Sequence, residues 1–178
     1  MSTKLHLGCG NQILPGWINH DLIALPGVDV VHDLTVFPWP FAAAQFDEIR
    51  MINVLEHLPD TIKTVEELHR IAAPGAKVTI RVPYWNSPDM ITDPTHKANF
   101  NQHTFEYFDP SQRHCRERPY YSTARFRIHK IDYFIRERGY RRITTPWQQR
   151  ILATLARFLG GVIWVLEFDL IALKPQCP

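Results

Sequence analysis

A glycine turn and two carboxylates, each at the end of a short apolar run, are the first residues of this sequence that indicate ligand chemistry. Gly8-Cys9-Gly10 follows the run 4–7, and glycine lets a backbone turn tightly and approach a ligand closely. Asp21 ends the next run, where a carboxylate can accept hydrogen bonds from both hydroxyls of a ribose. Asp33 ends the third, where it or the adjacent backbone can meet an adenine amino group. The set favours a nucleoside site, although an ordinary turn and two solvated acids would give the same pattern.

The spacing of these residues disfavours a dinucleotide-dependent oxidoreductase. Ile13 stands where a dinucleotide fingerprint has its third glycine. Asp21 follows Gly10 by 11 residues, whereas the ribose-binding acid of that fold lies about 20 residues beyond the glycines.

A polar and aromatic stretch, residues 84–108, carries the candidate acid–base groups. His96, with Asp93 to orient it, is the first candidate base, and His103 is the second, because histidine titrates near neutral pH. Alternatively, these histidines hydrogen-bond the loop backbone or contact a substrate without moving protons. Asp93, His96 and His103 could also gather a divalent cation. Their spacing matches no recognised ligand pattern, so we predict no metal site.

Short strands and helices alternate along the chain and must position these groups. The predicted helices cover 60–73, with Asp60 as N-cap, and 148–159. The run 124–133 reads as a strand, but Lys130 to Arg138 could instead begin a helix. The predicted strands cover 4–7, 17–21, 28–33, 46–52, 77–82, 124–133 and 168–173. Such alternation predicts a mostly parallel sheet that binds ligands at the carboxyl ends of its strands, where the glycines, the two acids and Asn53 fall.

Four segments together resemble the class I S-adenosylmethionine-dependent methyltransferases. They are L-H-L-G-C-G (5–10), G-W-I-N-H-D (16–21), N-V-L-E-H-L (53–58) and L-H-R-I-A-A-P-G-A (68–76). They are most similar to a small subgroup written G-C-G…G-W-x-N-x-D…F-D…L-E-H. The resemblance covers residues 4 to about 83 well and continues weakly through Asp93-Pro94-Thr95-His96 and the closing strand Glu167 to Lys174.

The resemblance implies one α/β domain over 1–178, with residues 84–123 as an acceptor-side insert. Its sheet would be doubly wound and Rossmann-like, with seven mostly parallel strands and an antiparallel last strand. Only nine residues, Gly8 to Gly16, precede Trp17 after the first strand, and a parallel crossover usually needs a dozen or more. The first helix is therefore expected to be shortened to a turn or two.

The resemblance also implies S-adenosylmethionine as cofactor and assigns residues to it. Gly8, Cys9 and Gly10 would pass under the methionine part, Asp21 would hold the ribose, and the Asn53 backbone would meet the methionine amino group. Asp33 with Leu34 would border the adenine. The implied cofactor-binding set is Gly8, Cys9, Gly10, Asn11, Asp21, Leu22, Asp33, Leu34, Asn53, Val54 and His57.

Methyl transfer to an oxygen of a small molecule, or of a sugar or glycan intermediate, is the expected reaction. Residues expected to meet the acceptor are Tyr84, Trp85, Asn86 and Arg125. The alternative is a non-catalytic or partner-dependent accessory subunit that binds the same cofactor. The sequence leaves the oligomeric state open, with a homodimer as one option.

The formal net charge of +2 conceals two unlike parts. Residues 1–110 hold 7 Lys and Arg against 13 Asp and Glu, whereas residues 111–150 hold 11 against 3. The Arg-rich segment 113–142 could contact an anionic acceptor, nucleic acid or, with apolar residues such as Trp147 and Phe158, an anionic membrane surface. It could equally be a solvated face that pairs with the acidic part. Nucleic acid is the least favoured partner, because the overall charge is small and no binding module is recognisable.

Cysteine usage and hydropathy predict a cytoplasmic protein. Cys9, Cys115 and Cys177 form no C-x-x-C pair and no disulfide framework. The longest apolar stretch, 158–166, is too short to span a bilayer, and the N-terminus has no signal-peptide pattern. A hydrophobic content of 45% is enough for a packed core and excludes a disordered chain.

Overall fold

Eight strands of the computed structural model, which describes residues 3–174, form one sheet in the order β3-β2-β1-β4-β5-β8-β6-β7. Strands β1 to β5 pair in parallel, β8 runs antiparallel between β5 and β6, and β7 folds back on β6 as a hairpin. The strands are β1 Lys4–Leu7, β2 Ile18–Asp21, β3 Val30–Val31, β4 Phe46–Ile52, β5 Ala72–Pro83, β6 Phe126–Arg136, β7 Tyr140–Ile143 and β8 Val165–Ala172. The mostly parallel sheet with an antiparallel last strand is confirmed, and the β7 hairpin adds one strand to the seven expected.

Four helices and three short 3₁₀ turns connect these strands. In α1 the Asp60 carboxylate caps the helix by accepting the Lys63 N–H at 2.9 Å, and Val65, Leu68 and Ile71 are fully buried. The prediction of a helix over 60–73 is therefore confirmed to within two residues. The helices are α1 Thr61–Ile71, α2 Pro88–Thr92, α3 Arg113–Glu117 and α4 Pro146–Leu155, and the 3₁₀ turns are Leu55–His57, Thr104–Tyr107 and Pro119–Tyr121. None of the helices in residues 3–174 is long and apolar enough to cross a membrane.

Three expectations for individual elements need correction. The alternative of a helix beginning at Lys130 is wrong, because residues 130–134 continue the antiparallel ladder between β6 and β8. The third strand is only Val30–Val31 rather than 28–33, since the chain around it is held by turns. The fifth strand begins at Ala72 directly after α1, not at Lys77.

The crossover from β1 to β2 contains turns and no helix over residues 8–17, so even the shortened first helix is missing. The buried Asn19 side chain holds this loop in place of a helix. Its Oδ1 accepts the Leu14 N–H at 2.9 Å, and its Nδ2 donates to the carbonyls of Leu14 and Trp17 at 3.2 and 3.1 Å. A short side chain thus supplies the hydrogen bonds that a helical turn would otherwise make internally.

One face of the sheet is apolar, whereas the other carries charged side chains. One face carries fully buried apolar residues such as Ile49, Ile80 and Phe168, and Phe105 packs on Phe168 with ring centroids 4.6 Å apart. The other face carries ion pairs, including Arg81 to Glu167 at 2.6 Å. A right-handed β1–β2 crossover helix would cover this second face. Its absence departs from the helix layers on both faces that the resemblance implied, and charged side chains take the place of an apolar layer there.

Candidate active site

The ends of β1 and β2 are joined through the predicted glycine turn. The Gly10 N–H donates to Asp21 Oδ2 at 2.7 Å, and the Ile23 N–H donates to Oδ1 of the same carboxylate at 3.1 Å. The Cys9 N–H donates to the His20 carbonyl at 2.9 Å. Each carboxylate oxygen has a second lone pair, so Asp21 is fixed in orientation while keeping capacity for a ligand.

The two glycines of the turn have different reasons to be glycine. Both have left-handed backbones, with φ of +62° at Gly8 and +51° at Gly10. A Cβ at Gly8 would lie 2.2 Å from Val54 Cγ2, whereas a Cβ at Gly10 would meet nothing within 4 Å. Gly8 is therefore required by the packing of β1 against the segment after β4, and the Gly10 backbone is open to a ligand. Between them, Cys9 is buried, and burial raises the pKa of its thiol.

The segment after β4 reaches this turn from the other side. Asn53 has a left-handed backbone with φ of +54°, and its N–H donates to the Arg81 carbonyl at 2.9 Å. Asparagine tolerates this region better than most residues, but the conformation still carries strain of the kind that concentrates at functional sites. Asn53 also lines a cavity of about 320 Å³ that opens past β4 and β5.

Glu56, His57 and His96 lie together in that cavity. Each contributes one potential ligand atom, and these atoms lie within 4.8 Å of one another. Glu56 is 1% exposed, its Oε2 has no hydrogen-bond partner among residues 3–174, and burial raises its pKa to about 7. The rings of His57 and His96 meet edge to face, with centroids 4.7 Å apart.

The hydrogen bond of the His96 side chain indicates which ring nitrogen carries the proton. Its Nδ1 lies 3.0 Å from the Met90 carbonyl oxygen. Since a carbonyl can only accept, Nδ1 carries the proton and Nε2 is left as an acceptor in the neutral ring. Asp93 Oδ2 lies 3.9 Å from Nε2, and bonds from Thr95 to the Asp93 carboxylate lower its pKa. His96 thus has the protonation pattern that a general base requires.

Comparison with known proteins decides the family of this arrangement. Residues 3–127 match a family model described as Methyltransferase domain. The chain belongs to this methyltransferase family. Its fold is that of the class I enzymes, and S-adenosylmethionine is its cofactor. No curated protein sequence matches the chain.

Solved structures similar to this methyltransferase share its fold at low sequence identity. An S-adenosylmethionine-dependent methyltransferase from Archaeoglobus fulgidus matches with a TM-score of 0.62 and 16% identity, covering 96% of this chain and 86% of its own. A Haloferax volcanii methyltransferase in complex with the Trm112 methyltransferase activator matches at 0.56 and 14%, covering 99% and 84%. Phosphoethanolamine N-methyltransferase 2 of Haemonchus contortus, in complex with S-adenosyl-L-methionine, matches at 0.56 and 15%, covering 98% of this chain and 50% of its own.

The remaining cofactor residues expected in the methyltransferase lie on the outer side of the glycine turn. Asp33 is exposed beyond β3, where Thr35 donates to its Oδ1 from both N–H and hydroxyl at 2.8 Å and lowers its pKa. Leu34 is buried, whereas Leu22 is 59% exposed and Asn11 is exposed. Open space at Gly10, a fixed Asp21 carboxylate and the exposed Leu22 fit a nucleoside, that is, an adenine base with its ribose.

His103 lies apart from His96. It belongs to a separate surface cavity with Asn101, Tyr107 and His114. Its Nδ1 lies 2.6 Å from Glu106 Oε1, and its side chain is half exposed. The structure therefore does not bring together Asp93, His96 and His103, the three residues considered above as ligands of a divalent cation.

The residues expected to meet the acceptor do not line the cavity beside Asn53. Tyr84 is 2% exposed and donates to Gln102 Oε1 at 3.2 Å, Asn86 donates to the Ala156 carbonyl at 2.7 Å, and Trp85 is exposed. Arg125 lies at the amino end of β6, at the end of the strands opposite the cavity, where its guanidinium donates to the carbonyls of residues 119, 122 and 124.

Sequence reasoning missed several residues that line the cavity. Glu56 belongs to the L-E-H segment, next to His57, which was assigned to the cofactor. This segment could therefore have indicated Glu56 as a site residue as well. Asp89 and Tyr140 hydrogen-bond each other across the cavity wall. Tyr140 comes from the β7 hairpin, which no local pattern in the sequence indicates.

Much of the basic segment pairs with acids in the fold. Arg142 contacts Glu167 at 2.9 Å, Lys130 contacts Asp132 at 2.9 Å, and Arg136 lies 3.6 Å from Asp89. The Arg136–Asp89 pair is of the kind that the solvated-face alternative predicts, because Asp89 belongs to the acidic part, whereas Asp132 and Glu167 lie outside it. The apolar face of α4 and the turn after it stays exposed at Trp147, Ile151, Leu155, Phe158 and Leu159.

Proposed function

We propose that this methyltransferase transfers a methyl group to an oxygen of a small molecule or of a sugar or glycan intermediate. The observation that carries the proposal is the tautomer of His96. Its Nδ1–H is donated to the Met90 carbonyl, and this leaves Nε2 to accept the proton that a hydroxyl acceptor must lose. An amine acceptor that is already neutral needs no such base.

The cofactor would be held by the residues around the glycine turn. Backbone groups of Gly8, Cys9, Gly10 and Asn11 would pass beneath its methionine part, and Asp21 would accept the ribose hydroxyls. Leu22, Asp33 and Leu34 would border the adenine, and Asn53 with Val54 would meet the methionine end. The hydrogen bond from Gly10 to Asp21 supports this assignment, because it fixes the carboxylate beside the open backbone at Gly10.

The chain's own residues would position the acceptor, accept its proton and exclude water. When bound, the cofactor would supply a methyl group on a sulfonium sulfur that serves as the leaving group. His96 Nε2 would accept the proton that the acceptor hydroxyl loses. Asp93 Oδ2, at 3.9 Å from that atom, would stabilise the imidazolium that results.

The charge of the cavity favours a neutral acceptor over an anionic one. Glu56, Asp89 and Asp93 line it, and the one lining arginine, Arg81, is paired with Glu167 at 2.6 Å. Acceptor contacts would come from Tyr140 and Asp89 on the cavity wall rather than from the Arg-rich segment.

The small G-C-G…L-E-H subgroup and the cytoplasmic location stay part of this proposal. Cys9 and Cys115 are buried free thiols, and Cys177 lies outside the described residues.

An acceptor screen tests the proposal. The purified chain is incubated with isotope-labelled S-adenosylmethionine and a panel of hydroxyl, carboxyl and amine compounds, including sugars. Mass spectrometry then locates the labelled methyl group. Label on oxygen supports the proposal. Label found only on nitrogen or carbon contradicts the acceptor class, and no transfer by a chain that binds the cofactor favours the accessory-subunit alternative.

A further inference from the structure

We propose that Glu56, His57 and His96 bind one divalent transition-metal cation. This site goes beyond methyl transfer, and the binding itself does not depend on the acceptor. Two imidazoles and one carboxylate form a donor set that suits Zn²⁺, Fe²⁺, Co²⁺ or Mn²⁺ better than Ca²⁺ or Mg²⁺, which prefer oxygen ligands throughout.

The distances within the cluster are somewhat longer than those around a bound cation. The three potential ligand atoms lie within 4.8 Å of one another. Bonds of about 2.0–2.2 Å to a tetrahedral cation place its ligands about 3.3–3.6 Å apart. Binding therefore requires the ligand atoms to approach one another by at most about 1.5 Å, which rotations of side-chain torsions supply.

Both histidines are oriented as metal-binding histidines usually are. The Nδ1 of His96 donates to the Met90 carbonyl at 3.0 Å. The Nδ1 of His57 lies 2.9 Å from Thr95 Oγ1, whose own hydrogen is donated to Asp93 Oδ1 at 2.6 Å. His57 Nδ1 is thus the donor, and each ring keeps Nε2 as its unprotonated nitrogen. A hydrogen bond from the second ring nitrogen to a carbonyl or an oxygen of a carboxylate network is the usual outer support of a histidine ligand.

The burial of Glu56 with an unpartnered carboxylate oxygen is the observation that indicates a cation most directly. It is 1% exposed, and its Oε2 has no hydrogen-bond partner within the described residues. A buried carboxylate oxygen without a partner is costly, and either a proton or a cation removes that cost. The neighbouring lone pairs of two imidazoles favour a cation, because a metal satisfies all three acceptors and a proton satisfies at most two.

The cation would leave open coordination positions toward the cavity. Three protein ligands leave room for water or for oxygens of the acceptor. If the proposed methyl transfer to oxygen is right, a bound hydroxyl would lose its proton to solvent more readily. In that state His96 is a ligand, so its role as base belongs to the cation-free protein.

Cobalt titration of the full chain, first freed of metal by chelation and dialysis, tests the site. Co²⁺ in a site of nitrogen and oxygen ligands gives visible absorption, and we expect saturation at one equivalent. Glu56→Gln preserves shape but removes the negative charge, and His96→Ala removes a ligand. Both should weaken Co²⁺ binding by more than the roughly tenfold expected for Thr95→Val, which removes only outer support.

The control is His129→Ala, which removes an exposed histidine near the amino end of β6, whereas the cavity contacts β6 at Phe134. It should bind Co²⁺ as the wild type does, and circular dichroism should show all variants folded. The proposal is overturned if the wild type shows no saturable binding, if Glu56→Gln binds equally well, or if His129→Ala loses binding to the same degree. Calorimetry with S-adenosylmethionine separates the two proposals. A chain that binds the cofactor but no cation keeps the first and loses the second.

Discussion

Gly10 donates its backbone N–H to the Asp21 carboxylate across 2.7 Å and so ties the turn after β1 to the end of β2. This bond orients the carboxylate next to the open backbone of Gly10. A Cβ built at Gly10 would meet no atom of residues 3–174 within 4 Å. In the proposed cofactor site, this bond would fix the carboxylate before a ligand binds, which would limit the ordering that binding requires.

Replacing Asp21 by Ala should weaken the binding of S-adenosylmethionine. Loss of a charged hydrogen-bond acceptor costs about 1–3 kcal/mol, and the Gly10 and Ile23 amides lose their partner as well. Calorimetry measures the affinity. Asp47→Asn, which changes an exposed carboxylate near the start of β4, is the control and should bind normally. Equal affinity in the wild type and Asp21→Ala would remove Asp21 from the ribose role.

Adding a methyl group at Gly8 should destabilise the fold. Its Cβ would lie 2.2 Å from Val54 Cγ2, on a backbone with φ of +62°. We expect Gly8→Ala to lower the free energy of unfolding by about 2–4 kcal/mol. Urea denaturation measures the change.

Gly8→Ala combined with Val54→Ala should recover part of that loss, because the second change removes the clash. Gly10→Ala meets no neighbour within 4 Å and should cost only the strain of its positive φ, about 1 kcal/mol. If the three variants lose equal stability, contact with Val54 is not what fixes glycine at position 8.

Asn19→Ala should destabilise the β1–β2 loop. The Asn19 side chain makes three bonds to the backbone of Leu14 and Trp17, and each buried polar group left unpaired costs about 1–3 kcal/mol. Chemical denaturation should show the loss, and amide hydrogen exchange should become faster over residues 8–17. Gln12→Ala changes an exposed side chain of the same loop and should leave both readouts unaltered.

The stability of the fold should fall as the pH drops below about 6.5. His20 is 1% exposed, and burial is the largest cause of its lowered pKa. A folded-state pKa below the unfolded value means that the unfolded chain binds more protons in this window, so the free energy of unfolding rises with pH. Denaturation of the wild type and His20→Gln between pH 5 and 8 isolates this contribution. A pH dependence that is identical in the two proteins would contradict it.

Local patterns predicted the parts of the site that neighbouring strands build. The glycine turn, Asp21 and α1 depend on spacing within a few residues, and the structure has them where the sequence put them. The missing crossover helix could be anticipated only as a shortening, because the role of Asn19 as a three-bond anchor is a tertiary property.

The cavity beside Asn53 was harder to predict because distant segments form it. Glu56 lies next to residues that the sequence did select, yet its burial depends on the chain at residues 97 and 98, whose amides donate to its carbonyl. Tyr140 enters the cavity only because β7 folds back on β6. Arg125 was assigned to the acceptor by charge alone, and its place at the amino end of β6 could not be read from its neighbours in sequence.

The role of His96 in oxygen methylation is the central claim, and single-turnover kinetics with labelled S-adenosylmethionine and an acceptor from the screen test it most directly. His96→Ala in the metal-free chain should lower the rate of methyl transfer by about 10²–10⁴-fold. Its cofactor affinity should be unchanged, and His129→Ala should match the wild type in both. Transfer to oxygen at the wild-type rate by His96→Ala would contradict the account.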